Sequence, residues 1–251
     1  MALVTNAQPI LNRLPHIISK RYRALQWGCF FGKSDSFTLP SSVKLGGKRL
    51  PASFPDQIGV KVAYMEVLLE DCYGLRTVRP KARAVLDIGA NVGIFALAAR
   101  RAFPDAVIHS YEPNGSLERY LKVQMHAART TCFLEAVARE DGKVSMHLAE
   151  DSVTSRSENT DSGEIPAVSF RKTIERLGGN VDFAKVDCEG AEWEFLEDLE
   201  AWRRVRQMSM EYHLTDGHTH EDADRAMDRL GFRVTSITRA PTFGLLQALR
   251  V

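Results

Sequence analysis

The 251-residue chain has almost no excess of charge of either sign: 33 Lys and Arg stand against 32 Asp and Glu. A polybasic coat that binds nucleic acid through its global field is therefore excluded for the chain as a whole. No run of about 18 apolar residues occurs, so no membrane-spanning helix is expected. Cysteine is sparse. Cys29, Cys72, Cys132 and Cys188 stand far apart, with no CxxC pair and no zinc-like spacing, and read as reduced thiols. A secretory pattern is missing, because the apolar stretch 10–18 is interrupted by polar residues and by Pro15. These absences lead to the expectation of a cytoplasmic protein. Internal repeats are absent too. What is present, 44% hydrophobic and 26% charged residues, is a globular composition and excludes a disordered chain.

The charge balance conceals an asymmetry. Residues 1–84 carry 13 Lys and Arg against 5 Asp and Glu, and the remainder carries 20 against 27. Residues 1–56 are expected to form an appendage. Ile10, Leu11, Leu14, Ile17, Ile18, Tyr22 and Leu25 fall at helical spacing over 8–26, with Pro15 kinking the helix or delaying its start. Residues 28–56, rich in Gly, Pro and Ser, read as short strands and turns. The favoured reading of the front helix is a lid or contact element, packed on the domain or on a second copy in a homodimer. A peripheral membrane helix and an organelle presequence are the alternatives.

Residues 57–251 read as one domain. A helix over 57–73 ends at Gly74. Strands are expected at 84–88, 106–111, 131–137, 143–148, 183–186, 205–212, 232–237 and 245–251. Helices are expected at 92–101, 114–127, 170–177, 191–199 and 221–230. Residues 151–163 read as a polar loop, either an acceptor lid or plain surface. Strands alternating with helices imply an α/β fold, a mostly parallel sheet with helices on both faces.

The stretch Val85-Leu86-Asp87-Ile88-Gly89-Ala90-Asn91-Val92-Gly93 is a buried strand turning directly into a helix. Gly89 permits a tight turn and close backbone approach to a ligand, and a helix N-terminus offers free N–H groups. The next strand ends in Tyr111-Glu112-Pro113-Asn114. Ligands of open α/β sheets bind at the carboxyl ends of strands, where a carboxylate can accept both hydroxyls of a ribose. As a bland alternative, Glu112 is a helix-start acid favoured by the dipole. A dinucleotide site needs G-x-G-x-x-G, whose second glycine lets the backbone reach the pyrophosphate. Here Asn91 replaces that glycine and the spacing differs, which argues for a nucleoside ligand without a pyrophosphate.

The segments VLDIGANVGIF, SYEPN, EAVAREDGKVSMHL and FAKVDCEGAEWEFL, in this order over about 57–240, resemble the FkbM-type S-adenosylmethionine-dependent methyltransferases. The most specific of them runs Lys185-Val186-Asp187-Cys188-Glu189-Gly190-Ala191-Glu192. The resemblance implies a Rossmann-like class I fold, a seven-stranded sheet whose last strand is antiparallel, and S-adenosylmethionine as cofactor. It implies that Asp87, Gly89 and Asn91 line the methionine end of the cofactor, that Glu112 holds the ribose, and that Asn114 and Val137 flank the adenine, with Ala90, Gly93, Pro113 and Asp187 also among the expected cofactor-binding residues. The family usually carries an acid in a Leu-Asp pair where this chain has Ser169-Phe170-Arg171. The first 56 residues have no counterpart in the resemblance.

Asp187 and Glu189 fall at the end of a strand, where carboxylates attract a sulfonium cation by Coulomb's law. The next strand ends in Glu211-Tyr212-His213, whose first and third residues share a face. Methylation of an alcohol requires loss of its proton, so Asp187, Glu189 and His213 are the expected catalytic residues, with His213 the base best suited by its ordinary pKa. Glu189 and Glu192 also read as first-turn helix acids. His213, His218 and His220 with Asp216 and Asp222 invite a metal reading, but an H-x-H pair in a polar loop rarely makes a defined site, and no metal is expected.

These readings lead to an expected O-methyltransferase acting on a small hydroxylated acceptor such as a sugar or polyketide, with nucleic acid disfavoured as a partner. One rival is an RNA or protein methyltransferase docking its substrate on the basic front. The other is a cofactor-binding module without chemistry.

Overall fold

The computed structural model describes residues 8–30, 37–147, 156–159 and 163–251. The helix α1 (Gln8–Trp27) opens this part of the chain. A hairpin follows, β1 (Ser42–Leu45) and β2 (Lys48–Pro51), turning on Gly46 and Gly47, both with positive φ. Next come α2 (Ile58–Ala63) and, continuous with it, a π-helical stretch Tyr64–Glu70. The helix expected over 57–73 stops three residues earlier, at Glu70. Asp71 takes a left-handed conformation, and its carboxylate accepts from the backbone N–H groups of Leu75 and Arg76, which ties down the turn.

The Rossmann-like body then runs β3 (Ala84–Ile88), α3 (Ile94–Ala102), β4 (Val107–Tyr111), α4 (Glu118–Ala128) and β5 (Thr131–Phe133). Next are β6 (Ala136–Ala138), β7 (Gly142–His147), β8 (Arg156–Asn159), β9 (Ile165–Ser169) and α5 (Phe170–Arg176). The remaining elements are β10 (Phe183–Val186), α6 (Glu192–Phe195), α7 (Leu199–Trp202), β11 (Gln207–His213), α8 (His220–Leu230), β12 (Phe232–Arg239) and β13 (Phe243–Arg250).

Seven strands form the main sheet in the order β12-β13-β11-β10-β3-β4-β5. The contacts β11-β10-β3-β4-β5 are parallel, and β13 inserts antiparallel between β11 and β12. This is the class I order that the resemblance implies. The strand order reverses at β3, which pairs with β4 on one side and β10 on the other. That switch point is where ligands of open α/β sheets bind.

Side-chain alternation along β3 sorts the two cores. Val85 joins the core that α1 to α4 cover, while Leu86 and Ile88 join the core under α5 to α8. Arg100 is buried where α3 ends. Its guanidinium donates to the carbonyls of Phe103, Pro104, Ala106, Ala128 and Arg129, satisfying two chain ends at once. Helix α8 starts on a capping box, Thr219 with Asp222, and ends on left-handed Gly231.

Several expectations are corrected. The strand expected over 131–137 is broken at Leu134-Glu135. Its second half, β6, leaves the main sheet and pairs with β9 in a separate four-stranded sheet ordered β6-β9-β7-β8. Strand β9 was not anticipated. Within the expected loop 151–163, residues 156–159 form β8 against β7; most of the rest of that loop lies outside the described residues. The helix expected over 191–199 splits into α6 and α7, because Asp198 breaks it and caps the second piece through Ala201 N–H.

The front helix packs on its own chain. Ala24 and Trp27 are buried, Trp27 Nε1 donates to Leu68 O at 3.0 Å, and Arg23 donates to Leu69 O. Phe37, Val43, Leu45 and Ala52 share the core of the Rossmann-like body. Among the described residues no helix is long and apolar enough to cross a membrane. All four cysteines are free.

Candidate active site

A cleft opens at the carboxyl ends of β3, β4 and β10. Its walls come from the turn after β3 (Gly89, Ala90, Asn91), the end of β4 (Glu112, Pro113), β6 (Val137) and the end of β10 (Asp187, Glu189). The expected binding residues Asp87, Gly93 and Asn114 stand behind the wall instead of in it.

Backbone approach fixes the turn. Gly89 has φ +75°, and a Cβ there would fall 1.7 Å from the Asp187 carbonyl oxygen. Only glycine lets β3 and β10 come this close at the mouth of the cleft. Gly93, at φ +83°, abuts Gln124 and Met125, so it serves helix packing. Asn91 is left-handed at φ 48°, which asparagine tolerates, and its Oδ1 accepts from Val92 N–H at 2.7 Å.

Glu112 is 6% exposed. Its Oε2 accepts from Asn91 N–H at 2.6 Å and its Oε1 from Asn114 N–H at 2.8 Å. One carboxylate thus ties the first turn to the second and keeps a free lone-pair direction on each oxygen. Burial pushes its pKa up to about 7, against the pull of those two amides. Asn114 caps the turn that follows by accepting from Ser116.

Lys185 was not singled out from the sequence. It is 3% exposed, and its ammonium lies 3.8 Å from Asp87 and 3.5 Å from Asp187. It also donates to the carbonyls of Ile88 and Gly89. Burial opposes its charge, but the two carboxylates outweigh burial and hold it cationic. Asp87, fully buried and accepting from Ser110 Oγ at 2.8 Å, therefore positions Lys185 and through it the Gly89 turn. Asp187 faces the cleft and accepts from Tyr73 OH at 2.8 Å. Tyr73 is a second residue without a sequence signal, since 114 positions separate it from its partner.

Asp187, Glu189 and His213 do come together, joined by Glu211 and Glu192. His213 Nε2 is 3.3 Å from Glu189 and 3.7 Å from Glu211. Its Nδ1 is 3.3 Å from Glu192, which is fully buried and also accepts from the backbone N–H groups of His213 (2.6 Å) and Gly190 (2.9 Å). Glu192 is thus an organising anion rather than a plain first-turn acid. Burial lowers the proton affinity of His213, but Glu192, Glu189 and Asp187 reverse this and raise its pKa to about 9. The surrounding carboxylates thus favour the protonated ring at neutral pH, which counts against the base role expected from its ordinary pKa. Burial, reinforced by the charge of Asp187, raises Glu211 well above the carboxylate range. Glu189 itself is left-handed, φ 56°, a strained conformation that turns its side chain at the cleft edge.

The expected absence of metal rested on the histidine loop. His218 stacks on Trp193, ring centroids 4.0 Å apart, and His220 bonds Tyr212 OH at 2.8 Å and Ala240 O at 3.0 Å. The ligand atoms of Asp187, Glu211 and His213 lie within 4.8 Å of one another, a spacing that a cation could bridge. Lys185 and the imidazolium already place positive charge there. Where the family's Leu-Asp acid is missing, Asp141 supplies a carboxylate to the start of α5, accepting from Ser169 N–H at 2.8 Å.

A glycine turn after the first strand of the switch point, an acid ending the neighbouring strand and an antiparallel β13 define a Rossmann-like class I methyltransferase. Residues 87–234 match the Methyltransferase FkbM domain, and the chain belongs to that family of methyltransferase enzymes. It is 26% identical over 196 positions to methyltransferase sdnD of Sordaria araneosa, covering 62% of this chain and 75% of that one. It is 24% identical to methyltransferase 1 of Beauveria bassiana, covering 62% and 74%. Among solved structures, Aeropyrum pernix fibrillarin with natively bound S-adenosyl-L-methionine aligns at TM-score 0.47 and 13% identity, covering 83% of this chain and 93% of that one.

Proposed function

We propose that the protein is an S-adenosylmethionine-dependent O-methyltransferase acting on a hydroxyl of a small-molecule acceptor such as a sugar or natural product. The observation that carries this reading is a cleft lined by Glu112, Asp187 and Glu189, with Glu211 and His213 standing behind those two β10-end carboxylates. The residues fit the cofactor. Glu112 offers two acceptor oxygens to a ribose diol, and the carboxylates at the end of β10 favour a sulfonium cation.

The bound cofactor supplies an electrophilic methyl group. The chain's residues do the rest. The Gly89 turn borders the methionine end and Glu112 holds the ribose, while Lys185 and Tyr73 lock Asp187 toward the cleft. Holding two reactants in line removes about 7–11 kcal/mol of barrier. Asp187 and Glu189 in the cleft wall, with Glu211 and His213 beside them, are the groups placed to take up the acceptor's hydroxyl proton. The imidazolium of His213 keeps the three carboxylates from repelling one another and faces developing negative charge on the acceptor oxygen.

Methyl-labelled cofactor incubated with a panel of monosaccharides and polyhydroxylated natural products tests this. A methyl ether product supports it. Label found only on nitrogen, or only on RNA or protein, contradicts it.

A further inference from the structure

Far from the cleft, a groove runs between the β1–β2 hairpin and the C-terminal halves of α3 and α4. Its floor is apolar, with Leu45, Leu50 and Val123. Its rim is cationic: Lys44, Lys48, Arg101 and Arg129 are all exposed, and no acidic residue lines the groove among the described residues. The hairpin tip, Gly46-Gly47, stands in open space.

Helix α1 adjoins this groove edge to edge. Arg101 packs 4.5 Å from the Trp27 ring centroid and donates to Gln26 O at 3.1 Å, and Gln26 itself lines the groove. Arg49 bridges the hairpin to the end of α1 through Gly28 O at 3.4 Å. On the side of α1 away from buried Ala24 and Trp27, Ile18, Tyr22 and Leu25 repeat at helical spacing and are 61%, 62% and 56% exposed. Phe30, just beyond, is 75% exposed. The row is about 10 Å long at the helical rise per residue.

We propose that this face docks on an anionic lipid surface, with the α1 row entering the headgroup boundary and the basic groove meeting lipid phosphates. A row of large apolar side chains beside cations without intervening acids is the pattern of an interfacial helix. Each Lys or Arg near an anionic bilayer adds attraction that salt screens. A soluble anion would need only the groove, and leaves the exposed row unexplained. The groove shares no lining residue with the cofactor cleft, so the proposal stands independently of the acceptor's identity.

Vesicle flotation of the full chain tests it, using phosphatidylcholine vesicles with and without phosphatidylglycerol. The wild type is expected to float with the phosphatidylglycerol vesicles and to be released by high salt. A Lys44→Glu, Lys48→Glu variant should partition at least about tenfold less, since each cation contributes severalfold. A Tyr22→Gln, Leu25→Gln variant should lose a similar factor. Both variants must melt like the wild type and bind cofactor equally, which separates lost docking from lost folding. No flotation, equal flotation with neutral vesicles, or variants that float like the wild type would overturn the proposal. So would salt-sensitive binding of single-stranded RNA, or dimerisation through α1, by a chain that does not float.

Discussion

Glu112 links the fold to the cofactor reading through a single proton. Its pKa of about 7 arises from burial, only partly offset by the amides of Asn91 and Asn114. The ionised carboxylate accepts from both hydroxyls of a ribose diol, whereas protonation turns one of its oxygens into a donor, so binding is coupled to loss of the proton. Below the folded pKa, affinity should therefore fall about tenfold for each pH unit, because the ionised fraction falls by that factor. Affinity near pH 6 should be about tenfold weaker than its plateau above pH 8. The same proton acts oppositely on the free protein. The folded state binds it more tightly than the unfolded state does, so this group's contribution to stability is full below about pH 4.5 and declines as pH rises toward 7. The decline amounts to about 3 kcal/mol. Cofactor should reverse it. Calorimetric titrations of S-adenosylmethionine from pH 6 to 8.5, repeated with Glu112→Gln, read both terms. A wild-type affinity independent of pH, or a variant that retains the pH slope, would refute the assignment.

Three further outcomes are expected. Gly89→Ala should lower stability by more than about 3 kcal/mol and abolish cofactor binding, since its Cβ would collide with Asp187 O; thermal unfolding checks this, and a wild-type melting temperature would contradict it. Glu192→Gln should bring the His213 pKa down toward the ordinary imidazole value, read by NMR titration of the ring, whereas an unchanged value would mean that Glu189 and Asp187 alone hold the charge. Arg100→Met should cost about 3 kcal/mol or more by orphaning buried carbonyls at the ends of α3 and α4, measured by denaturant unfolding; a loss under about 1 kcal/mol would show that water replaces the guanidinium.

What was legible in the sequence was what is contiguous in it. The β3 turn, Glu112 ending β4 and Asp187 ending β10 each announce themselves as an apolar strand running into a glycine or an acid. The resemblance supplied their order in the sheet. Pairings across long sequence distances were not legible. Tyr73 meets Asp187, and Asp87 turns away from the cleft to hold Lys185, a lysine whose partners appear only once both neighbouring strands are in place. The upward pull on the His213 proton was hidden for the same reason: it comes from Glu192, Glu189 and Asp187 together, and helix periodicity presents Glu192 as a first-turn acid. Strand β6 was drawn into the main sheet because apolar patterning runs unbroken through Phe133 and Leu134, and patterning does not record which sheet a strand joins. The split of α6 from α7 was carried by Asp198, whose capping role needs the downstream N–H to be visible.

Calorimetric titration of the purified chain with S-adenosylmethionine near pH 8, with S-adenosylhomocysteine as competitor, tests the central claim most directly. The account predicts one site per chain, displaced by the competitor and weakened at least tenfold by Glu112→Ala. Absence of binding, or binding that Glu112→Ala leaves unchanged in a folded variant, would contradict it.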